Sequence, residues 1–169
     1  PSGAHAHPGR APWRREQLTR VADERAAPGS DIAPRAMTEY LTDEWGFFIR
    51  SSRQYERFRS PYQAIEVHET EPFGKLFRLD GHFMTSEQDE FFYHENLVHL
   101  PGITHPAPES ALIVGGGDGG SAEELLKYPS MKKVTLAEID MAVVDVSRKY
   151  LASVHKGSLD DPRLDLRIG

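Results

Sequence analysis

The sequence has no cysteine among its 169 residues. Disulfide bonds, metal sites made of thiolates and a cysteine nucleophile are therefore excluded. It also has no apolar run long enough to cross a bilayer, and its first residues lack the hydrophobic segment of a signal peptide. From these absences we expect a cytoplasmic protein without a membrane partner.

Positive charge is scarce as well. Twenty lysines and arginines stand against 26 acidic residues, which gives a formal net charge of −6 at pH 7. A nucleic-acid binder needs a surface rich in lysine and arginine to neutralise phosphates, so this class of protein is disfavoured. Cationic or neutral small ligands suit an acidic protein better.

The first 36 residues differ in composition from the rest. They are rich in Ala, Pro, Gly and Arg and carry six arginines against four acids, which leaves 14 basic and 22 acidic residues from Met37 onward, a formal charge of −8. This composition predicts a disordered leader over residues 1–36. We take Met37 as the hypothetical biological start, which peptides from upstream of Met37 in the native protein would reject.

A glycine-rich stretch between two apolar runs is the most informative part of the sequence. Residues 112–114 suit a buried parallel strand, and Gly115, Gly117 and Gly120 fit the pattern G-x-G-x-x-G. The next apolar run ends at Glu138, about 20 residues further on, where one carboxylate can accept both hydroxyls of a ribose. The pattern predicts a strand–loop–helix–strand unit for a nucleoside-bearing ligand, with a purely structural glycine turn as the alternative.

The residues before this unit predict a small antiparallel sheet. Strand-like patterns occur at residues 46–50, 63–69, 75–79 and 82–85, and Asp80-Gly81 suits a hairpin turn. We therefore expect a small β domain ahead of the nucleoside-binding unit.

A helix is predicted to close this β domain. Ser86-Glu-Gln-Asp89 is typical of a helix amino terminus. Tyr93, Leu97 and Leu100 then fall on one apolar stripe, and Pro101-Gly102 should end the helix.

After the glycine motif the sequence continues as an α/β unit. Helices are expected over residues 121–128 and 141–151, and strands over residues 134–139 and 164–168. Three strands make only part of a doubly wound sheet, so the first of them should have an open, apolar edge. The predicted organisation is a leader, a small β domain with its closing helix, a linker and the first half of a Rossmann-like domain, at residues 1–36, 37–103, 104–110 and 111–169.

Several motifs, in this order, resemble the polyamine aminopropyltransferases, the family that includes the spermidine synthases. The motifs are Leu79-Asp-Gly81, Glu87-x-Asp-Glu-Phe-x-Tyr-His-Glu95, Leu112-Ile-Val-Gly-Gly-Gly-Asp-Gly-Gly120, Glu138-Ile-Asp140 and Asp160-Asp-Pro-Arg163. The resemblance implies an α/β fold in which a small antiparallel β domain precedes a methyltransferase-like Rossmann domain, here truncated after its third strand.

The resemblance also implies an activity. An aminopropyl group would move from decarboxylated S-adenosylmethionine, a co-substrate rather than a bound cofactor, to a diamine such as putrescine, with release of methylthioadenosine. No metal and no nucleic acid are implied, and the assembly would be a homodimer or homotetramer. Both substrates are cationic, so carboxylates should surround them.

Seven residues receive roles from the resemblance. Those implied to hold the nucleoside are Gln63, Gly115, Gly117 and Glu138, and those implied to contact the donor amine or the polyamine are Tyr93, His94 and Asp118. Four of these side chains have simpler alternatives: a helix cap for Asp118, a core position for Tyr93, a partly exposed helix position for His94 and a polar strand edge for Gln63.

The remaining motifs of the family do not occur in this sequence. In the family, an Asp-Gly after the third strand contacts adenine, and an Asp-x-x-Asp-Pro motif after the fourth strand carries the catalytic base. The resemblance implies that both motifs would lie beyond Gly169, the last residue given. We therefore predict no catalytic residue in this chain and expect the 169 residues alone to be nearly or wholly inactive.

Two other classes of function remain open. One is a different nucleoside-cofactor enzyme, either an S-adenosylmethionine-dependent methyltransferase or an NAD-dependent dehydrogenase. The other is a non-catalytic protein that binds nucleosides or polyamines. Asp118 within the glycine loop and the preceding β domain argue against the first class, which calls for neither of them.

Overall fold

The structure is a computed structural model that describes residues 35–169. The predicted leader lies outside this range apart from its last two residues, which open strand β1 (Arg35–Tyr40). Strand β1 pairs antiparallel with β2 (Gly46–Ser51), with Met37 opposite Ile49.

A four-stranded antiparallel sheet follows, in the order in which its strands occur along the chain. Its strands are β3 (Arg53–Arg59), β4 (Ala64–Thr70), β5 (Gly74–Leu79) and β6 (His82–Ser86). Asp80 and Gly81 both have positive φ, 48° and 88°, as a two-residue hairpin turn between β5 and β6 requires. The predicted strands at residues 63–69, 75–79 and 82–85 are confirmed in this sheet, but the predicted strand at residues 46–50 pairs with β1 in the separate two-stranded sheet.

Strand β3 was not predicted from the sequence. Four of its seven residues are charged, and most of the strand is exposed. Its two apolar residues, Tyr55 and Phe58, are three positions apart, and an irregularity in the pairing with β4 interrupts the strand between Gln54 and Glu56, so no period-two alternation indicates a strand.

Helix α1 (Glu90–Thr104) begins where the sequence predicted but does not end at Pro101-Gly102. The prediction of that end is wrong because packing overrides the local signal: Gly102 lies directly against the ring of Tyr128, where a side chain would collide. The buried face of α1 consists of Glu90, His94 and Val98, and the predicted apolar stripe points to solvent instead.

The carboxyl-terminal part is a three-stranded parallel sheet with helices, as predicted for a Rossmann-like unit. The strands are β7 (Ser110–Val114), β8 (Lys133–Glu138) and β9 (Leu164–Ile168), in the order β7-β8-β9. The helices are α2 (Gly120–Leu126), α3 (Met141–Tyr150) and α4 (Ala152–His155), and a single 3-10 turn spans Ser158–Asp160. None of the helices in the part that the structure describes is long and apolar enough to cross a membrane.

The antiparallel sheet shares a hydrophobic core with the helices that follow β8. Ile65, Val67 and Phe77 of the antiparallel sheet cluster with Val143 and other side chains from α3 and α4. Leu151, between these two helices, is fully buried in this cluster. The β domain therefore packs on the helix that follows β8, next to the end of the strand that carries Glu138.

Strand β7 lies at the edge of the parallel sheet and has β8 as its one neighbour among residues 35–169. Its Leu112 and Val114 are 66% and 84% exposed. The expected open, apolar edge is therefore present.

We expect Leu151→Ala to destabilise the fold, because this side chain is fully buried where the antiparallel sheet packs on α3 and α4. Truncation of a fully buried leucine costs about 2–5 kcal/mol of the free energy of unfolding. The matched control is Leu97→Ala on the exposed side of α1, which should change this free energy by about 0.5 kcal/mol or less. Urea unfolding followed by circular dichroism measures both variants. Similar losses in the two would contradict the shared core.

Candidate active site

The glycine loop connects β7 to α2 and turns beside the end of β8. Gly115 continues the sheet by donating its N–H to the carbonyl oxygen of Ala137, at 2.8 Å. It has a φ of 77°, and no atom lies within 4 Å of the point where a Cβ would be. A ligand can therefore come close to the backbone of Gly115, which is the role predicted for this glycine.

Gly117 packs closely against α3 and the end of β8. A Cβ on this residue would lie 2.9 Å from Cγ1 of Val143 and 3.0 Å from Oε2 of Glu138. Only glycine fits there without displacing its neighbours.

The Glu138 carboxylate, at the end of β8, is held by backbone N–H groups. Its Oε2 accepts from Gly117 at 3.1 Å, and its Oε1 accepts from Ile139 and Asp140 at 2.8 and 3.1 Å. A carboxylate oxygen accepts two hydrogen bonds, so Oε2 keeps capacity for one more donor. The residue predicted to hold a ribose is therefore fixed next to the glycine loop, with one acceptor position to spare.

Gly169 lies at this same edge of the parallel sheet, directly after β9. Its N–H donates to the carbonyl oxygen of Glu138 at 3.1 Å, so its backbone continues the pairing of β8 with β9. Gly169 has no side chain to offer, and the sequence predicted no role for it in the site. It is the position beyond which the resemblance implies the catalytic aspartate, and that implication remains a prediction.

The side chain of Asp118 fits both roles considered from the sequence, a helix cap and a contact for a cationic ligand. Its Oδ1 accepts from the backbone N–H of Gly120 at 2.9 Å, so the side chain does cap the start of α2. Within residues 35–169 no protein donor bonds to Oδ2. Capping thus leaves one oxygen available to a cationic ligand.

The Gln63 side chain lies at the junction of the two sheets, in the loop between β3 and β4. Its Nε2 donates to Oδ2 of Asp140 at 2.9 Å, and the hydroxyl of Ser60 donates to the same oxygen at 2.6 Å. Oδ1 of Asp140 accepts from the backbone N–H of Ala142 and caps α3. Gln63 is therefore not an ordinary strand-edge residue, because a buried acid two residues after Glu138 orients its amide.

Tyr93 and His94 are neighbours in α1 but have opposite surroundings. Tyr93 is 64% exposed, which overturns its alternative as a core residue. His94 is buried, which overturns its alternative as a partly exposed helix residue. The ring of His94 packs on Gly120, with Nδ1 2.6 Å from Oε2 of Glu90 and Nε2 3.7 Å from Oδ1 of Asp118.

Two acids of the site, Glu90 and Asp140, were not singled out from the sequence as site residues. Glu90 precedes His94 by one helical turn, and this spacing is a usable signal for a contact on one helix face. Asp140 reads as an ordinary helix cap, and its bonds to Ser60 and Gln63 depend on a tertiary contact that no local pattern reveals. Within residues 35–169 no group of three or more His, Asp or Glu side chains has the arrangement of a metal site.

A glycine loop between a parallel strand and a helix, with an acid at the end of the next strand, defines the class of nucleoside-binding Rossmann-like proteins. Residues 90–169 match the family model described as the spermine/spermidine synthase domain, and residues 55–87 match that of the spermidine synthase tetramerisation domain. The chain belongs to the spermine/spermidine synthase family.

Individual relatives agree with this assignment. The polyamine aminopropyltransferase of Nitrosomonas europaea is 51% identical over 146 residues, which make up 86% of this chain and 45% of that protein. The crystal structure of spermidine synthase from Thermotoga maritima aligns with a TM-score of 0.77 at 41% identity, over 83% of this chain and 50% of that one. A spermidine synthase in complex with the transition state analogue AdoDATO aligns with the same TM-score and identity, over 83% of this chain and 49% of that one. The chain thus spans about half the length of the relatives that it matches.

We expect Asp140→Ala to destabilise the chain by about 1.5–3 kcal/mol, because it removes a buried charged acceptor shared by Ser60, Gln63 and the start of α3. The matched control is Asp145→Ala, which removes an exposed acid from the same helix and should change the free energy of unfolding by about 0.5 kcal/mol or less. Urea unfolding measures both.

A double-mutant cycle tests the contact itself. Ser60→Ala and Asp140→Ala should show a coupling energy of at least about 0.5 kcal/mol, as contacting residues do. Additive effects of the two substitutions would contradict the role of Asp140 as the link between the two sheets.

Proposed function

We propose that this sequence is the donor-binding part of an aminopropyltransferase of the spermidine synthase type. The enzyme transfers an aminopropyl group from decarboxylated S-adenosylmethionine to putrescine and releases methylthioadenosine. The names of its relatives support this assignment, as does its similarity to a synthase in complex with a transition state analogue.

The nucleoside end of the donor lies between the glycine loop and the end of β8. The free acceptor position on Oε2 of Glu138 takes a ribose hydroxyl, while the open backbone at Gly115 lets the ligand approach. Gln63 keeps its amide oxygen for the ligand, because its Nε2 is bonded to Asp140.

The observation that carries the proposal is a carboxylate within the glycine loop. Loops of this kind usually present backbone N–H groups to an anion, but Asp118 places a negative charge there and leaves Oδ2 without a protein donor in the described residues. The decarboxylated donor has an ammonium and a sulfonium but no carboxylate, so Asp118 attracts it. S-adenosylmethionine carries the same ammonium and sulfonium together with a carboxylate, which Asp118 repels, so this acid favours the decarboxylated donor.

The polyamine end lies along the amino-terminal half of α1. Tyr93 is exposed there and available to an amine chain, and His94 lies behind Asp118. The reaction is a displacement at the methylene carbon bonded to sulfur, so the exposed Tyr93 contributes by aligning a neutral amine with that carbon. We assign no general base among the residues up to Gly169.

We further infer that the enzyme is a cytoplasmic homodimer or homotetramer. The match of residues 55–87 to a tetramerisation domain supports an oligomer.

Calorimetry on the 169-residue chain tests this function. We expect decarboxylated S-adenosylmethionine to bind at least about tenfold more tightly than S-adenosylmethionine, which corresponds to about 1.4 kcal/mol. Asp118→Asn should remove most of this preference, because asparagine retains an acceptor for Gly120 N–H but loses the charge.

Two controls separate the roles of charge and fold. Methylthioadenosine lacks the amine, so its affinity should be the same in the wild type and in Asp118→Asn. Asp145→Asn removes the same charge from the exposed side of α3 and should leave all affinities unchanged. Equal affinities of the wild type for the two donors, or tighter binding of S-adenosylmethionine, would reject the proposed function.

A further inference from the structure

We propose that Glu90 and His94 form a buried pair that holds the carboxylate of Asp118 in place, which makes His94 a positioning residue for the acid of the glycine loop. This inference deepens the proposed function, since it rests on the assignment of Asp118 to the cationic end of the donor. It assigns a role to Glu90, which the family resemblance left without one.

The first support is the geometry of the pair. Glu90 opens α1, and His94 follows one turn later, so the two side chains lie on the same buried face of the helix. Oε2 of Glu90 lies 2.6 Å from Nδ1 of His94, and the two side chains are 6% and 3% exposed. A contact this short between buried groups fixes the plane of the imidazole ring.

The second support is that both ring nitrogens face carboxylates. Nδ1 meets Glu90, and Nε2 points toward Oδ1 of Asp118 at 3.7 Å. An ionised carboxylate only accepts hydrogen bonds, so the ring satisfies both neighbours when both of its nitrogens carry protons. Burial alone lowers the pKa of His94, but its interactions with Asp118 and Glu90 outweigh burial and raise this pKa above the usual value.

The third support is the contact between the ring and the glycine loop. The imidazole of His94 lies against Gly120, where any side chain would overlap it. The N–H of Gly120 donates to Oδ1 of Asp118, the same oxygen that faces Nε2 of His94. Both neighbours thus approach Oδ1 of Asp118, and within residues 35–169 no protein donor bonds to Oδ2.

The charges explain why the pair contains an acid. A protonated His94 beside Asp118 would cancel the charge that attracts an ammonium group. The carboxylate of Glu90 adds a second negative charge, so Glu90, His94 and Asp118 together keep one net negative charge. Among residues 35–169, the other charged group that reaches this pair is Lys156 at the end of α4, with Nζ 3.9 Å from Oε1 of Glu90 and 3.7 Å from Oε1 of Glu123. Lys156 is about half exposed and shared between two acids, so its effect on His94 is weaker.

The test is an NMR pH titration of the His94 ring in the unliganded 169-residue chain. We expect its pKa to lie above the usual value of about 6.5 and to fall in both Glu90→Gln and Asp118→Asn. The matched control is Glu124→Gln, which removes the carboxylate that bonds to His99 on the same helix and should leave the pKa of His94 unchanged. A His94 pKa at or below 6.5, or one that Glu90→Gln does not lower, would overturn the proposal.

Ligand binding provides a second readout that a purely structural pair would not affect. Glu90→Gln should weaken binding of decarboxylated S-adenosylmethionine about tenfold and leave methylthioadenosine unaffected, while Glu124→Gln changes neither. Equal losses for the two ligands would indicate a structural role only and would overturn the proposal. If the titration is as expected but neither ligand binds the wild type, the proposed function fails, and with it the positioning role.

Discussion

The hydrogen bond from Gly117 N–H to Oε2 of Glu138 determines the geometry of the site. It draws the glycine loop onto the end of β8, which the absence of a side chain at Gly117 permits. The turn then continues into α2, with Asp118 capping the first residue of the helix. The position of Asp118 between the end of β8 and the buried face of α1 follows from this bond. Glu138 and Asp118, to which we assign a ribose and an ammonium group, are thereby both held at the glycine loop.

The antiparallel sheet also contributes to the geometry of the site. Its core is shared with α3 and α4, and Ser60 and Gln63 reach the buried carboxylate of Asp140. Because Asp140 also caps α3, a single side chain links the loop that carries Gln63 to the helix that follows Glu138. The amide of Gln63 is thus oriented by Asp140, which lies two residues after Glu138.

Local patterns predicted those parts of the fold and the site that local physics determines. The Asp80-Gly81 turn, the glycine loop and Glu138 at the end of β8 follow from the need for positive φ, close approach and strand alternation. Tertiary contacts determined the rest. Strand β3 is an exposed edge, α1 continues through Pro101 because it packs on Tyr128, and the link between Gln63 and Asp140 joins residues far apart in the chain. The apolar stripe of α1 predicted the wrong buried face because the polar pair of Glu90 and His94 takes that face instead.

The central claim, that Glu138 and the glycine loop form the nucleoside site, is tested most directly by calorimetry of methylthioadenosine with Glu138→Gln. The NH₂ group of glutamine would face a backbone N–H donor, that of Gly117 or of Ile139, and could not accept its hydrogen bond. The substitution would also remove the negative charge of the acceptor for the ribose. We expect a loss of affinity of about tenfold or more, which corresponds to at least about 1.4 kcal/mol. Glu109→Gln, which removes an exposed acid paired with Lys132, should leave the affinity unchanged. If Glu138→Gln binds methylthioadenosine with the affinity of the wild type, Glu138 is not part of the nucleoside site.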